Sequence, residues 1–135
     1  MRRSIYIDIS KDFSSIPGAR YPHESSFCGQ DFREKLLYPA VLEALEKDMV
    51  VVVNMDGVYG FSTAFLDEAF GGLTRVKGIG YHIVRHHVVL ISTEEPSLIE
   101  EVDDILKDSE FSPDNTMRTF KNYVLKILSK LKRRQ

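Results

Sequence analysis

Met49-Val-Val-Val-Val-Asn-Met55, closed by Asp56-Gly57 and followed by Ser62-Thr-Ala-Phe-Leu-Asp-Glu-Ala-Phe-Gly-Gly-Leu73, is the stretch that decides the fold. An unbroken valine-rich run of this length predicts a strand buried on both faces. Asp-Gly then turns the chain. Helical spacing returns at once: Phe65, Leu66, Ala69, Phe70 and Leu73 share one face. Ser62 or Thr63 is the expected N-cap, its hydroxyl accepting from an otherwise unpaired backbone N–H. Gly71-Gly72 reads as the end region of this helix.

The flanks repeat the pattern. Upstream, residues 4–10 alternate, with Ile5, Ile7 and Ile9 on one side and Tyr6 and Asp8 on the other, which predicts a half-buried strand. Residues 11–26, with Pro17, Gly18, Pro22 and four serines, predict a loop with a short paired strand at 19–21. A helix is expected from near Gly29, with Asp31 and Glu34 as its start signal and Phe32, Leu36, Leu37, Ala40, Val41, Ala44 and Leu45 on its apolar face. Pro39 should bend or divide it.

Downstream, Gly78 and Gly80 argue for a loop, and 81–86 reads either as a short helix or as the start of a strand. Residues 88–92 predict a strand. Pro96 opens an amphipathic helix carrying Leu98, Ile99, Val102, Ile105 and Leu106. A polar break at 109–116 precedes a last helix, at about 116–134, with Phe120, Val124, Ile127, Leu128 and Leu131 at apolar positions. Strands alternating with helices imply an α/β fold, a largely parallel or mixed central sheet covered by helices. At 135 residues the chain predicts a single domain, 1–135, able to bury a core without disulfides or metal.

Composition excludes some functions. The longest apolar run is far short of a membrane span, and the N-terminus reads as a first strand rather than a signal peptide. A single cysteine, Cys28, fits a reducing compartment, so the expected location is the cytoplasm. Residues 117–135 hold seven basic residues and no acid, leaving 11 basic against 20 acidic on the rest, a net of −9. A basic tail of this kind reads first as a solvated face of a C-terminal helix, and otherwise docks on its own body, an acidic partner or nucleic acid. The acidic body and the lack of interleaved aromatics argue against nucleic acid. The apolar face of the last helix either covers the sheet or pairs with another copy.

No nucleotide-binding, nucleophile-elbow or paired-cysteine signature is present. Cys28 beside a helix start reads as a packing residue. His82 and His86 would face one metal on a helix but lie roughly 13 Å apart on a strand. His86 and His87 fit the start of a strand with one ring in and one out, so neither metal nor cofactor is expected. Asp67 and Glu68 read as acids opposing the dipole of a helix N-terminus.

With these residues read, Val51–Leu73 resembles the signature of the STAS-like domains, a prokaryotic family of unknown function. Ile7-Asp-Ile-Ser-Lys-Asp-Phe13, Pro17-Gly-Ala-Arg20, Ser26 and Gly29-Gln-Asp-Phe-Arg33 resemble the N-terminal half of the same family. The resemblance implies the fold of sulfate-transporter and anti-sigma-antagonist domains. In the antagonists this junction reads Asp-Ser-Ser-Gly-Leu, and its first serine is phosphorylated by a partner kinase. Laid onto Ser62-Thr-Ala-Phe-Leu66, the motif puts Thr63 at the phosphoacceptor position, with Ser62 for the aspartate, Ala64 for the second serine and Phe65 for the glycine.

Thr63 therefore either caps the helix or accepts a phosphate that would meet the free N–H groups there. The resemblance implies a non-enzymatic regulatory or adaptor domain in signalling. Its partner-binding residues would be Arg20, Arg33, Ser62, Thr63 and Asp67, and its partner a histidine-kinase-like ATPase. The alternatives are nucleic-acid binding through the basic C-terminal helix, and an enzyme with a site of Arg20, Arg33, Asp67 and Glu68.

Overall fold

A computed structural model describes residues 2–111. The expected basic helix at about 116–134 lies outside the described residues. The described part contains three strands, β1 (Ser4–Asp8), β2 (Val50–Asn54) and β3 (Val88–Ile91), in the order β1-β2-β3. Both pairings are parallel, with Ile5 opposite Val51 and Val51 opposite Val88. Of the parallel and mixed sheets the sequence allows, the described strands form the parallel one.

Alternation along β1 and β2 splits the sheet into two faces. Ile7, Val51 and Val53 point into the core and are nearly inaccessible. On the other face Tyr6 is 56% and Val89 47% exposed, with Val50 and Val52 only half-buried. Burial of β2 on both faces is thus corrected to one face, among the described residues.

The first helical region runs through α1 (Gly29–Phe32), a π-helical turn (Arg33–Leu37) and α2 (Tyr38–Lys47). Pro39 sits in the first turn of α2 and neither divides nor ends the helix. The widened turn just before it, in which Tyr38 N–H reaches back to the Arg33 carbonyl, accommodates a ring that would otherwise press on the carbonyl four residues earlier. The start is set by Cys28, not by Asp31: its buried Sγ accepts from Asp31 N–H at 3.4 Å. The expected strand at 19–21 is absent. Instead the Ala19 and Arg20 carbonyls accept from Gly29 and Gln30 N–H, pairing donors that a helix start leaves free.

The second helical region runs through α3 (Thr63–Leu66), a π-helical turn (Asp67–Gly71) and α4 (Gly72–Arg75). It passes straight through Gly71-Gly72, so the glycine pair does not mark its end. Next come α5 (Tyr81–His87), which settles 81–86 as helix, and α6 (Ser97–Glu110). The core joins Phe32, Leu37 and Val41 of the first region, Phe65, Leu66, Phe70 and Leu73 of the second, and Val84, Val102 and Leu106. Close helix contact requires Gly29, since a Cβ there would lie 2.5 Å from the Phe65 carbonyl oxygen.

Candidate functional site

The turn after β2 delivers Ser62 to the C-terminal edge of the sheet, where open α/β sheets present their sites. Asp56 fixes the approach: its carboxylate accepts from Thr93 and Glu94 N–H and from the Thr93 hydroxyl, tying the turn to the one after β3. These hydrogen bonds hold the Asp56 carboxyl below its usual range. The loop of residues 14–18 runs alongside, Ser15 O accepting from Tyr59 N–H at 2.9 Å. Ser62 is the N-cap. Its Oγ accepts from Phe65 N–H at 3.0 Å and donates to the Gly18 carbonyl at 3.0 Å.

Thr63 is therefore not the cap. It is exposed at the first helical position, and its hydroxyl donates to Glu101 Oε1 on α6 at 3.3 Å. Ile16 (67% exposed) and Tyr59 (88%) flank this helix start on the two adjoining loops.

Behind the junction, three arginines converge on Asp67 and Glu68. Arg20, from the loop, donates to Asp67 Oδ2 at 2.5 Å and reaches Glu68 Oε1 at 3.5 Å. Arg75 grips Asp67 as a fork, with Nη1 to Oδ1 at 2.9 Å and Nη2 to Oδ2 at 3.0 Å, and also holds Ser109 Oγ of α6 at 2.6 Å. Arg33 is only 3% exposed; its Nη1 donates to both the carboxylate and the backbone carbonyl of Glu68, each at 2.6 Å, and its Nε to Glu34 at 3.1 Å. Asp67 and Glu68 are thus held by guanidinium groups rather than by a helix dipole.

Burial raises the Asp67 carboxyl, but hydrogen bonds and charge from Arg20 and Arg75 outweigh it and leave it below the usual carboxylate range. Arg20 is raised in turn, chiefly by its hydrogen bond to Asp67. The four residues of the enzymatic alternative do come together, yet each carboxylate is spent on arginine.

The glycine pair makes this cluster possible. A Cβ on Gly72 would stand 2.0 Å from Arg33 Nη1, and one on Gly71 2.6 Å from Arg75 Nη1 and 2.8 Å from Ser109 Oγ. Arg75 and this cradle were missed from the sequence, because ending the helix at the glycines left Arg75 in a loop. A helical reading carried one turn further finds it.

The histidines are placed differently from expectation. His86 and His87 close α5 rather than opening β3, although one ring is indeed exposed and the other buried. His87 Nδ1 lies 2.8 Å from the Met49 carbonyl oxygen. Asp48, at the left-handed C-cap of α2, comes close to both. No described helix is long and apolar enough to cross a membrane.

No curated protein and no solved structure matches the chain. Residues 29–98, which span α1 to the start of α6, match the family described as STAS-like domain of unknown function (DUF4325). That match covers just over half of the sequence and includes both helical regions that build the junction, and the chain belongs to this family.

Proposed function

We propose that this STAS-like domain is a non-enzymatic regulatory adaptor that docks a protein partner, a histidine-kinase-like ATPase, on the surface formed by Ile16, Tyr59, Ser62 and Thr63. The observation that carries the reading is the exposed helix start: a threonine hydroxyl freed from capping by Ser62, beside an 88%-exposed tyrosine. A large aromatic standing clear of its own fold is the kind of side chain that anchors an interface. The arginine–carboxylate cluster beneath supports the same reading, since its ion pairs fasten the helix start to the loop before α1 and to α6.

Arg20 and Asp67, each partly exposed, form the margin of this surface, while Arg33 stabilises it from inside. Phosphorylation of Thr63 would act as the switch. A phosphate there gains the helix-start N–H groups but exchanges the hydrogen bond to Glu101 for like-charge repulsion. The test is affinity capture from native cells with the full chain, Tyr59→Ala and Thr63→Glu. Recovery of a kinase-like ATPase by the unaltered chain, lost with either variant, is expected. Recovery of no such ATPase, with the same proteins bound by all three, refutes the proposal.

A further inference from the structure

We propose that Asp48, His86 and His87 form a binding site for a divalent ion of the zinc class at the N-terminal edge of the sheet. Asp48 precedes β2, and the histidines immediately precede β3, which runs parallel to it, so the site lies at the opposite end of the strands from Ser62.

One ligand atom from each residue lies within 4.8 Å of the other two. Tetrahedral zinc with bonds of about 2.0–2.1 Å needs donors about 3.4 Å apart. The gap is closed by rotating Asp48 and His86, both exposed, toward the buried His87.

The His87 tautomer is already set. Its Nδ1 faces the Met49 carbonyl oxygen, which can only accept, so Nδ1 carries the proton and Nε2 keeps the lone pair. A backbone carbonyl holding the far nitrogen is the usual support of a metal-ligating histidine.

Electrostatics favour a cation here. The C-terminal ends of α2 and α5 meet at this point, each carrying partial negative charge. Asp48 adds a full one, in a left-handed conformation (φ 52°) where glycine or asparagine is the usual choice. Aspartate tolerates this backbone as a helix terminator, and the position leaves its carboxylate beside the two histidines.

Of the neighbouring basic groups, Lys47 turns away to Glu43 at 3.1 Å. Arg2 Nη1, buried and without a hydrogen-bond partner, forms an ion pair with Asp48 Oδ1 at 3.7 Å, and a bound ion must displace it. Two imidazoles and one carboxylate suit zinc rather than magnesium or calcium, with water in the remaining position.

The experiment is calorimetric titration of the full, untagged chain with Zn²⁺ and separately with Mg²⁺. One Zn²⁺ per chain is expected, and no Mg²⁺. Asp48→Asn and His86→Ala should each weaken Zn²⁺ by about tenfold or more. His23→Ala, exposed in the loop before α1 and outside the group, should leave it unchanged. Asparagine tolerates the left-handed backbone and His86 is exposed, so both variants keep the fold, which their melting temperatures without metal check. A Zn²⁺-dependent rise in melting temperature, absent from both variants, is the second readout. No saturable Zn²⁺ binding at submillimolar concentration, or equal binding by both variants, overturns the proposal.

Discussion

Replacing Gly72 with alanine sets two effects of opposite sign against each other. Gly72 has ordinary helical geometry (φ −64°, ψ −23°), so on helix propensity alone alanine should stabilise by about 1 kcal/mol. The added methyl, however, would sit 2.0 Å from Arg33 Nη1 and 2.8 Å from its Cζ. The side chain of Arg33 is 4% exposed and that of Glu68 7%, so the displaced guanidinium cannot exchange its partner for water. Forcing apart a buried pair costs about 3–5 kcal/mol, for a net loss of about 2–4 kcal/mol after the propensity gain.

That is a large share of the ~5–15 kcal/mol that holds a typical domain. Urea unfolding followed by far-UV circular dichroism measures it. Gly72→Ala introduced into an Arg33→Ala/Glu68→Gln background, where the clash is gone, should instead be neutral or stabilising. A variant as stable as the parent in the original background, or equal losses in both, would refute the argument that Gly72 exists to admit Arg33.

Other outcomes follow from the same geometry. Ser62→Ala should lose about 1 kcal/mol with the cap, while Thr63→Ala stays within about 0.5 kcal/mol, both read by urea midpoint. Equal losses would mean the cap is shared. Asp67 has a depressed folded-state pKa, so its contribution is fully present above the unfolded value of about 3.9 and disappears as pH falls through the folded one. Midpoints measured from pH 5 down to 2 should therefore fall less steeply for Asp67→Asn than for the parent; parallel curves would exclude Asp67 as a source of acid sensitivity. Gly29→Ala, aimed at the Phe65 carbonyl, should lower the melting temperature markedly, whereas Gly60→Ala, with no atom within 4 Å of the added Cβ, should leave it unchanged or raise it.

Most of the order of strands and helices was legible because β1 carries a period of two, the helices of Phe32, Phe65 and Leu98 a period of 3.6, and β2 an unbroken valine run; α5, too short to show a period, was not. The junction was legible because that run gives way at Asp56-Gly57 to helical spacing. The arginine cluster was not, although Arg20, Arg33, Asp67 and Glu68 were all singled out. Arg20 and Arg33 lie 35 to 48 residues from the carboxylates they meet, and no local spacing says which guanidinium meets which carboxylate. The glycine pair was misread because a sequence advertises glycine's freedom to turn, while here what counts is its lack of a side chain beside Arg33 and Arg75. Cys28 was read as a packing residue, and its burial agrees, but that a sulfur would replace the expected acidic start signal depended on the loop folding over it.

The shared grip on Asp67 adds a polar link between parts of the chain that the core and the hydrogen bonds of Ser62 and Thr63 also join. Arg20 reaches Asp67 from the loop before α1, and Arg75 reaches it while holding Ser109 near the end of α6. Loop, second helical region and last described helix are thus fastened in series, like links sharing one pin. Tension on the loop thus has a polar route to α6, through Asp67 and then Arg75, that lies outside the apolar core.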